Sequence, residues 1–247
     1  MEKESNRIAK VIARSGICSR RDAERKILAG LVSVNGKIIE SPALNVSDND
    51  EIIVEGKRID KPEETKLFIY YKPNGLITSH KDGQGRKTVF ESLPKEYGRL
   101  LSVGRLDLNS EGLLLLTNDG EFQRFMESPA NEFERVYRVR IRGIITKEDI
   151  QKLKYGITVD GVHYKRIDVI PEKNQTSNSW VIVKLHEGKN REIRKTMESL
   201  GYQVNRLIRI SYAGLELRNL GIGEIYEVKI PKKILEKFNE YKTKSQK

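Results

Sequence analysis

The spacing of hydrophobic positions changes along the chain. Ile8, Val11 and Ile12 recur at helical spacing, Arg7, Lys10 and Arg14 share the other face, and Ser15-Gly16 stops the run. A second helix opens at Cys18-Ser19, with Ser19 as N-cap and Asp22 and Glu24 in its first turns. Ala23, Ile27 and Leu28 form its apolar side, and Gly30 ends it. The period then falls to two. Residues 31–39 alternate about Asn35-Gly36, a strong hairpin signal, and residues 51–54 follow the Asp48-Asn49-Asp50 turn as a third short strand. A polar stretch over 55–64, carrying Pro62, is the best boundary, so domains are expected over residues 1–60 and 61–247.

Beyond it, residues 67–71 and 76–79 read as strands about the turn Lys72-Pro73-Asn74-Gly75. Residues 81–87 form a glycine-rich basic loop, suited to folding over RNA or simply to joining elements. A short apolar element covers 89–93. Leu113, Leu114, Leu115 and Leu116, bounded by Gly112 and Asn118, fit a buried strand better than a helix. Residues 121–127 predict a helix burying Phe122, Phe125 and Met126. Residues 134–142 alternate, with Tyr137, Val139 and Ile141 on an apolar face and Arg138, Arg140 and Arg142 opposite. A helix over 146–155, a turn at 159–162 and a strand over 180–185 follow. A helix from an Asn190 N-cap to Gly201 buries Ile193, Met197 and Leu200. Strands are expected over 202–210, 215–217 and 226–230, then a helix over 234–241 and a loose lysine-rich tail. Many strands with interspersed helices, lacking regular βαβ alternation, indicate an α+β protein.

Charge adds a partner class. Lys and Arg number 46 against 35 Asp and Glu, a formal charge of +11, which favours a polyanion unless the chain is simply basic. One cysteine, Cys18, excludes an internal disulfide and a cysteine-based zinc cluster. His80, His163 and His186 lack metal-ligand spacing, so no metal is expected. No apolar stretch reaches membrane-spanning length and Met1 is followed by charge, so a soluble cytoplasmic protein without a membrane partner is expected.

Three places carry candidate chemistry. Arg7, Lys10, Arg14, Arg20, Arg21, Arg25 and Lys26 crowd the first two helices, either gripping phosphates or forming a solvated face. Arg105 and Asp107 precede the leucine run; on an extended chain they would point the same way, and Asp107 either acts on a substrate or caps a turn. Lys189, Arg191, Arg194 and Lys195 crowd a helix start, where cations oppose the helix dipole. An anionic partner would offset that cost, or Glu187, Glu192 and Glu198 compensate it. Tyr137 is ordinary packing unless it closes over a pocket.

The run from Arg7 through Val34-Asn35-Gly36, especially Ser15-Gly16-Ile17-Cys18-Ser19-Arg20-Arg21-Asp22-Ala23, resembles the S4-type RNA-binding domain. The resemblance implies a structured RNA partner rather than DNA, and a packing role for Cys18. Gly104-Arg105-Leu106-Asp107 followed by Gly112 through Gly120 resembles pseudouridine synthases of the RsuA/RluB/RluE/RluF family. Lys72-Pro73-Asn74-Gly75, Tyr137 within Arg135-Val136-Tyr137-Arg138-Val139, and Glu187-Gly188-Lys189-Asn190-Arg191-Glu192-Ile193-Arg194 occur in that family's order. Glu192 departs from the usual glutamine, and Lys195-Thr196 from the usual run after Arg194.

The resemblance implies a small S4-like αα-β domain followed by a mixed, mainly antiparallel β-sheet catalytic domain with flanking helices. It assigns Asp107 as catalytic aspartate, Tyr137 as the tyrosine that stacks on the target base, and Arg194 as the aspartate's basic partner. Arg105 would hold the flipped nucleotide, with Arg86, Lys189 and Arg191 as further RNA contacts. Isomerising uridine to pseudouridine gains and loses no atoms, so no cofactor is implied. The expected partner of this monomer is ribosomal RNA, with pre-ribosomal large-subunit RNA favoured by the 81–87 loop and Val103-Gly104-Arg105. A small-subunit target and a non-catalytic RNA-binding assembly factor are the alternatives; Asp107, Tyr137 and Arg194 together argue against the latter.

Overall fold

A computed structural model describes residues 6–59, 63–172 and 177–245. Asp60, Lys61 and Pro62 of the expected linker lie outside them. The chain forms two compact units. One holds the described residues up to Lys66 with Lys95–Leu101 and Asn118–Gly120; the other holds Leu67–Pro94, Ser102–Thr117 and the chain from Glu121.

In the first unit the helical periodicity yields helices Ile8–Arg14 and Arg20–Leu28, the second capped by the Ser19 side chain, which accepts the Asp22 N–H. The Asn35-Gly36 turn, both residues at positive φ, joins Val32–Val34 to Lys37–Ile38. Ile52–Val54 completes the expected strand region beside Val32–Val34. Ile8, Ile12, Ala23, Ile27, Val32 and Val54 close one core, with Cys18 packed at its edge. Leu28, expected inside, is 67% exposed, because the buried stripe is only as wide as Ala23 and Ile27 require.

The second unit is a twisted sheet in the order Asp168–Pro171, Asn178–Leu185, Arg135–Arg142, Val204–Tyr212, Glu111–Thr117, Leu67–Lys72, Ile225–Val228. Neighbours are antiparallel except Val204–Tyr212 beside Glu111–Thr117. Alternation sends Val139, Ile141, Val181 and Val183 to one face, under helices Lys147–Tyr155 and Glu192–Ser199 through Leu153, Ile193 and Met197. Leu113 and Leu115 face the other way, against helices Gly120–Glu127 and Lys232–Ser245 through Phe122, Phe125, Ile234 and Phe238. The leucine run is buried on both sides, as its continuous apolarity requires.

Four local expectations fail. Residues 76–79 form no strand: Ile77 makes a single bridge to Thr88, and the Thr78 hydroxyl turns to Leu106. Helix Glu192–Ser199 takes Arg191, not Asn190, as N-cap, in the left-handed region at φ 52° and without a side-chain cap. The expected 202–210 strand runs later, as Val204–Tyr212. The lysine-rich tail continues the last helix to Ser245.

Candidate active site

Because the Glu111–Thr117 strand is buried along its whole length, its first residue leaves the core at a fixed place. The turn carrying Asp107 stands there. Ser110 N–H donates to the Asp107 carbonyl at 3.0 Å, and Gly75 N–H to the Leu108 carbonyl at 2.9 Å. The Thr78 hydroxyl donates to the Leu106 carbonyl at 2.9 Å, and Arg194 Nη2 to that of Asn109 at 2.6 Å. Lys72 Nζ donates to the carbonyls of Pro73, Asp107 and Ser110 at 3.0, 3.2 and 2.8 Å. The turn's backbone is thus pinned from several directions, whereas the Asp107 side chain keeps 34% of its surface exposed.

Gly104 bends the chain at φ 70° just before Arg105, and a turn closes from Asp107 to Ser110. Arg105 is exposed, and the guanidinium beside Asp107 is that of Arg191, with Nη1 3.7 Å from Oδ2. The expected Asp107–Arg194 ion pair is also corrected. Arg194 spends its Nη1 on the Val204 carbonyl, at 3.1 Å, and its Nη2 on that of Asn109. Its charge still feels Asp107: burial and Arg191 push its pKa down, and Asp107 opposes them.

Tyr137 lies across the sheet on the same rung. It is paired with Arg209, which is paired with Gly112 of the strand that follows the Asp107 turn. A Cβ at Gly112 would strike the Arg209 backbone, so only glycine admits this parallel approach. The half-buried Tyr137 ring packs in the cluster holding Ile193 and Met197, on the face covered by the helix that carries Arg194.

Lys72 went unassigned in the sequence reading. Fully buried, it carries a cation into the core, and burial pulls its pKa down to about 8 against the attraction of Asp107 and Glu111. The signal lay in alternation: Phe68, Tyr70 and Lys72 share one side of a strand whose core residues are apolar. At the helix start, compensation and function divide the cations. Lys189 Nζ pairs with Glu187 at 2.9 Å, its N–H donates to Glu192 at 3.0 Å, and Arg191 is left to Asp107. Burial and the neighbouring Glu187 raise the Glu192 carboxyl to about 7.

Two family models match the chain. Residues 66–199 match RNA pseudouridylate synthase, and residues 6–52 match the S4 domain. The chain belongs to the RNA pseudouridine synthase family. It is an RsuA/RluB-like synthase with an N-terminal S4 domain. A Rickettsia felis protein named an RNA pseudouridine synthase is 50% identical over 94% of this chain and 99% of its own. The ribosomal large subunit pseudouridine synthase B of Bacillus subtilis is 38% identical over 90% of this chain and 91% of its own. A crystal structure of a pseudouridylate synthase superposes with a TM-score of 0.64 at 26% identity, covering 94% of this chain and 98% of the other.

The synthase's expected RNA contacts are variously committed. Arg14 is held within its own unit by Asp119, at 3.1 Å, and by the carbonyls of Glu63 and Asn118, at 3.0 Å each. Arg7 donates to the Ala43 carbonyl at 2.6 Å and Lys10 to Asn6 at 3.1 Å. Arg20 lies 3.6 Å from Glu24, Arg25 pairs with Asp22 and Lys26 with Glu55, while Arg21 is exposed. Arg86 is clamped by Asp82 at 2.7 Å, which fixes the 81–87 loop and holds the Asp82 carboxyl down at about 2. Among the described residues no group of three or more His, Cys, Asp or Glu is arranged to hold a metal ion, and no helix is long and apolar enough to cross a membrane.

Proposed function

We propose that the synthase isomerises a uridine of ribosomal RNA, in the large subunit, with Asp107 as the catalytic carboxylate. The observation that carries this reading is the Asp107 turn: its backbone is pinned by Lys72 and Arg194, and its partly exposed carboxylate faces Arg191. The large-subunit target rests on the Bacillus subtilis relative and on namesakes in Haemophilus influenzae and Vibrio cholerae, 40% and 39% identical.

A uracil stacked in folded RNA cannot reach Asp107, so the nucleotide is flipped out, at a cost of a few kcal/mol (roughly) offset by stacking on Tyr137 and by phosphate contacts. Residues 1–60 supply RNA contacts and residues 61–247 the chemistry, Arg105 and Arg191 holding the flipped nucleotide's phosphates. Asp107 then attacks the sugar C1′ or the uracil C6, or removes the C2′ proton. The N1–C1′ bond breaks, the base turns and rejoins through C5, the C5 proton leaves, and N1 takes up a proton, so that no atom is gained or lost. Arg191 stands beside the carboxylate as its cationic neighbour, and Arg194 positions the turn that presents it.

The test is a pseudouridine map of ribosomal RNA, by carbodiimide labelling and reverse transcription. Cells lacking the gene, and cells carrying Asp107→Asn, are expected to lose one large-subunit stop. A lost small-subunit stop would move the target while keeping the chemistry. An unchanged map would overturn the ribosomal assignment.

A further inference from the structure

The strand Arg135–Arg142 has two faces, and the catalytic residues use one. Tyr137, Val139 and Ile141 turn toward helix Glu192–Ser199. Arg138, Arg140 and Arg142 turn the opposite way, as does Arg206 of the neighbouring strand, whose carboxylate partner Glu111 shares parity with Leu113 and Leu115. Three of the four lie on alternate residues of one strand, about 7 Å apart.

Two of the arginines are built in. Arg138 stacks on the Trp180 ring at 4.2 Å and is gripped by both oxygens of Glu172, at 2.8 and 2.9 Å. Arg206 is gripped by both oxygens of Glu111, at 2.5 and 3.1 Å. The other two, Arg140 and Arg142, are exposed and have no acidic partner among the described residues. Arg140 is also directly opposite Arg206 in the ladder. Like charges in a cross-strand pair destabilise a sheet; Glu111 offsets the charge of Arg206, and an anion bound beside it would offset that of Arg140. Among the described residues four arginines stand against two glutamates, a positive strip, and forked guanidinium groups suit phosphate oxygens.

We propose that this strip, on the sheet face turned away from Asp107, binds the phosphate backbone of a second segment of the RNA whose uridine the synthase modifies. The proposal rests on the functional reading above, since it takes the substrate RNA as occupant. It gives the synthase a grip on a long, folded RNA that does not depend on the sequence around the target.

The test is affinity for a full-length large-subunit rRNA transcript across salt concentrations, with the full chain and with R140E/R142E; R140Q/R142Q removes charge without reversing it. Both variants are expected to bind about tenfold more weakly, with the slope of log affinity against log salt reduced by about 1.5, the loss of two phosphate contacts. At saturating RNA, tritium release from C5-labelled uridine in the same transcript stays at the wild-type rate, since neither arginine touches the reacting base. Unchanged affinity and slope in both variants would overturn the proposal and point instead to an acidic protein surface. A fall in the saturating rate would also overturn it. Wild-type protein that binds the transcript but releases no tritium would sink the functional reading and leave the affinity comparison standing.

Discussion

Arg191 Nη1 stands 3.7 Å from Asp107 Oδ2, and Arg191 reaches that position with a left-handed backbone at φ 52°. A side chain in this region costs about 1 kcal/mol that glycine avoids. The Arg191 side chain does not offset it by capping the helix, and the Lys195 N–H bonds only its backbone carbonyl, which glycine keeps. Arg191→Gly is therefore expected to hold or raise stability by up to about 1 kcal/mol while pseudouridine formation falls about tenfold. Urea unfolding and tritium release, measured side by side, check this. Loss of stability together with activity would make Arg191 a structural residue.

Arg194 acts on backbone carbonyls, so its charge alone does not replace it. Arg194→Met leaves the Asn109 and Val204 carbonyls without their donor and is expected to cost about 1–3 kcal/mol. Arg194→Lys keeps the charge but cannot span both carbonyls, and is expected to recover little activity. Full rescue by lysine would show that the charge toward Asp107 matters more than the position of the turn.

Lys72 makes stability depend on pH at the alkaline end. Its pKa falls from 10.5 in the open chain to about 8 when folded, with burial as the first cause. The unfolded chain thus binds the extra proton between these values, and stability rises with pH across that window; below about 8 the cost of the buried cation is fully present. Lys72→Met is expected to abolish this rise in chemical unfolding from pH 8 to 10. It also strips three carbonyls of their donor, so it is expected to be less stable at pH 7 by about 2 kcal/mol and to lose activity. An unchanged pH slope in the variant would assign the effect to another group.

Glu192 acts in the opposite sense. Its carboxyl rises from 4.5 to about 7 through burial and then through Glu187, so the folded chain holds the extra proton between these values. Stability contributed by Glu192 is full below 4.5 and is lost as pH rises through about 7. Glu192→Gln keeps an acceptor for the Lys189 N–H and no longer ionises. It is expected to be more stable than wild type at pH 8, by about 1 kcal/mol, and to retain activity. Equal pH profiles for the two proteins would contradict this.

The elements were legible where one force decides them. The leucine run, the Asn35-Gly36 hairpin and the alternation through Tyr137, Val139 and Ile141 each have a single low-energy solution, and the sheet contains them. What was illegible depends on three-dimensional neighbours. Residues 76–79 have strand-like composition, but the Thr78 hydroxyl is drawn to Leu106. Asn190 is the better intrinsic cap, yet Arg191 takes the position beside Asp107. Resemblance picked out Arg194 near the catalytic turn, but only the fold shows that it holds Asn109 while Arg191 faces the carboxylate. Lys72 was readable in principle, as a lysine at a buried parity, but only its three carbonyl partners show why a cation is stable there.

Asp107 is proposed to perform the isomerisation, served by the cations around it. Tritium release from ribosomal RNA labelled at uridine C5 tests it most directly, with wild type and Asp107→Asn compared at equal RNA occupancy. Release is expected from wild type, at a rate at least ~100-fold above that of a folded, RNA-binding Asp107→Asn. Comparable release by the two proteins would contradict it, since asparagine can act neither as the carboxylate nucleophile nor as the base.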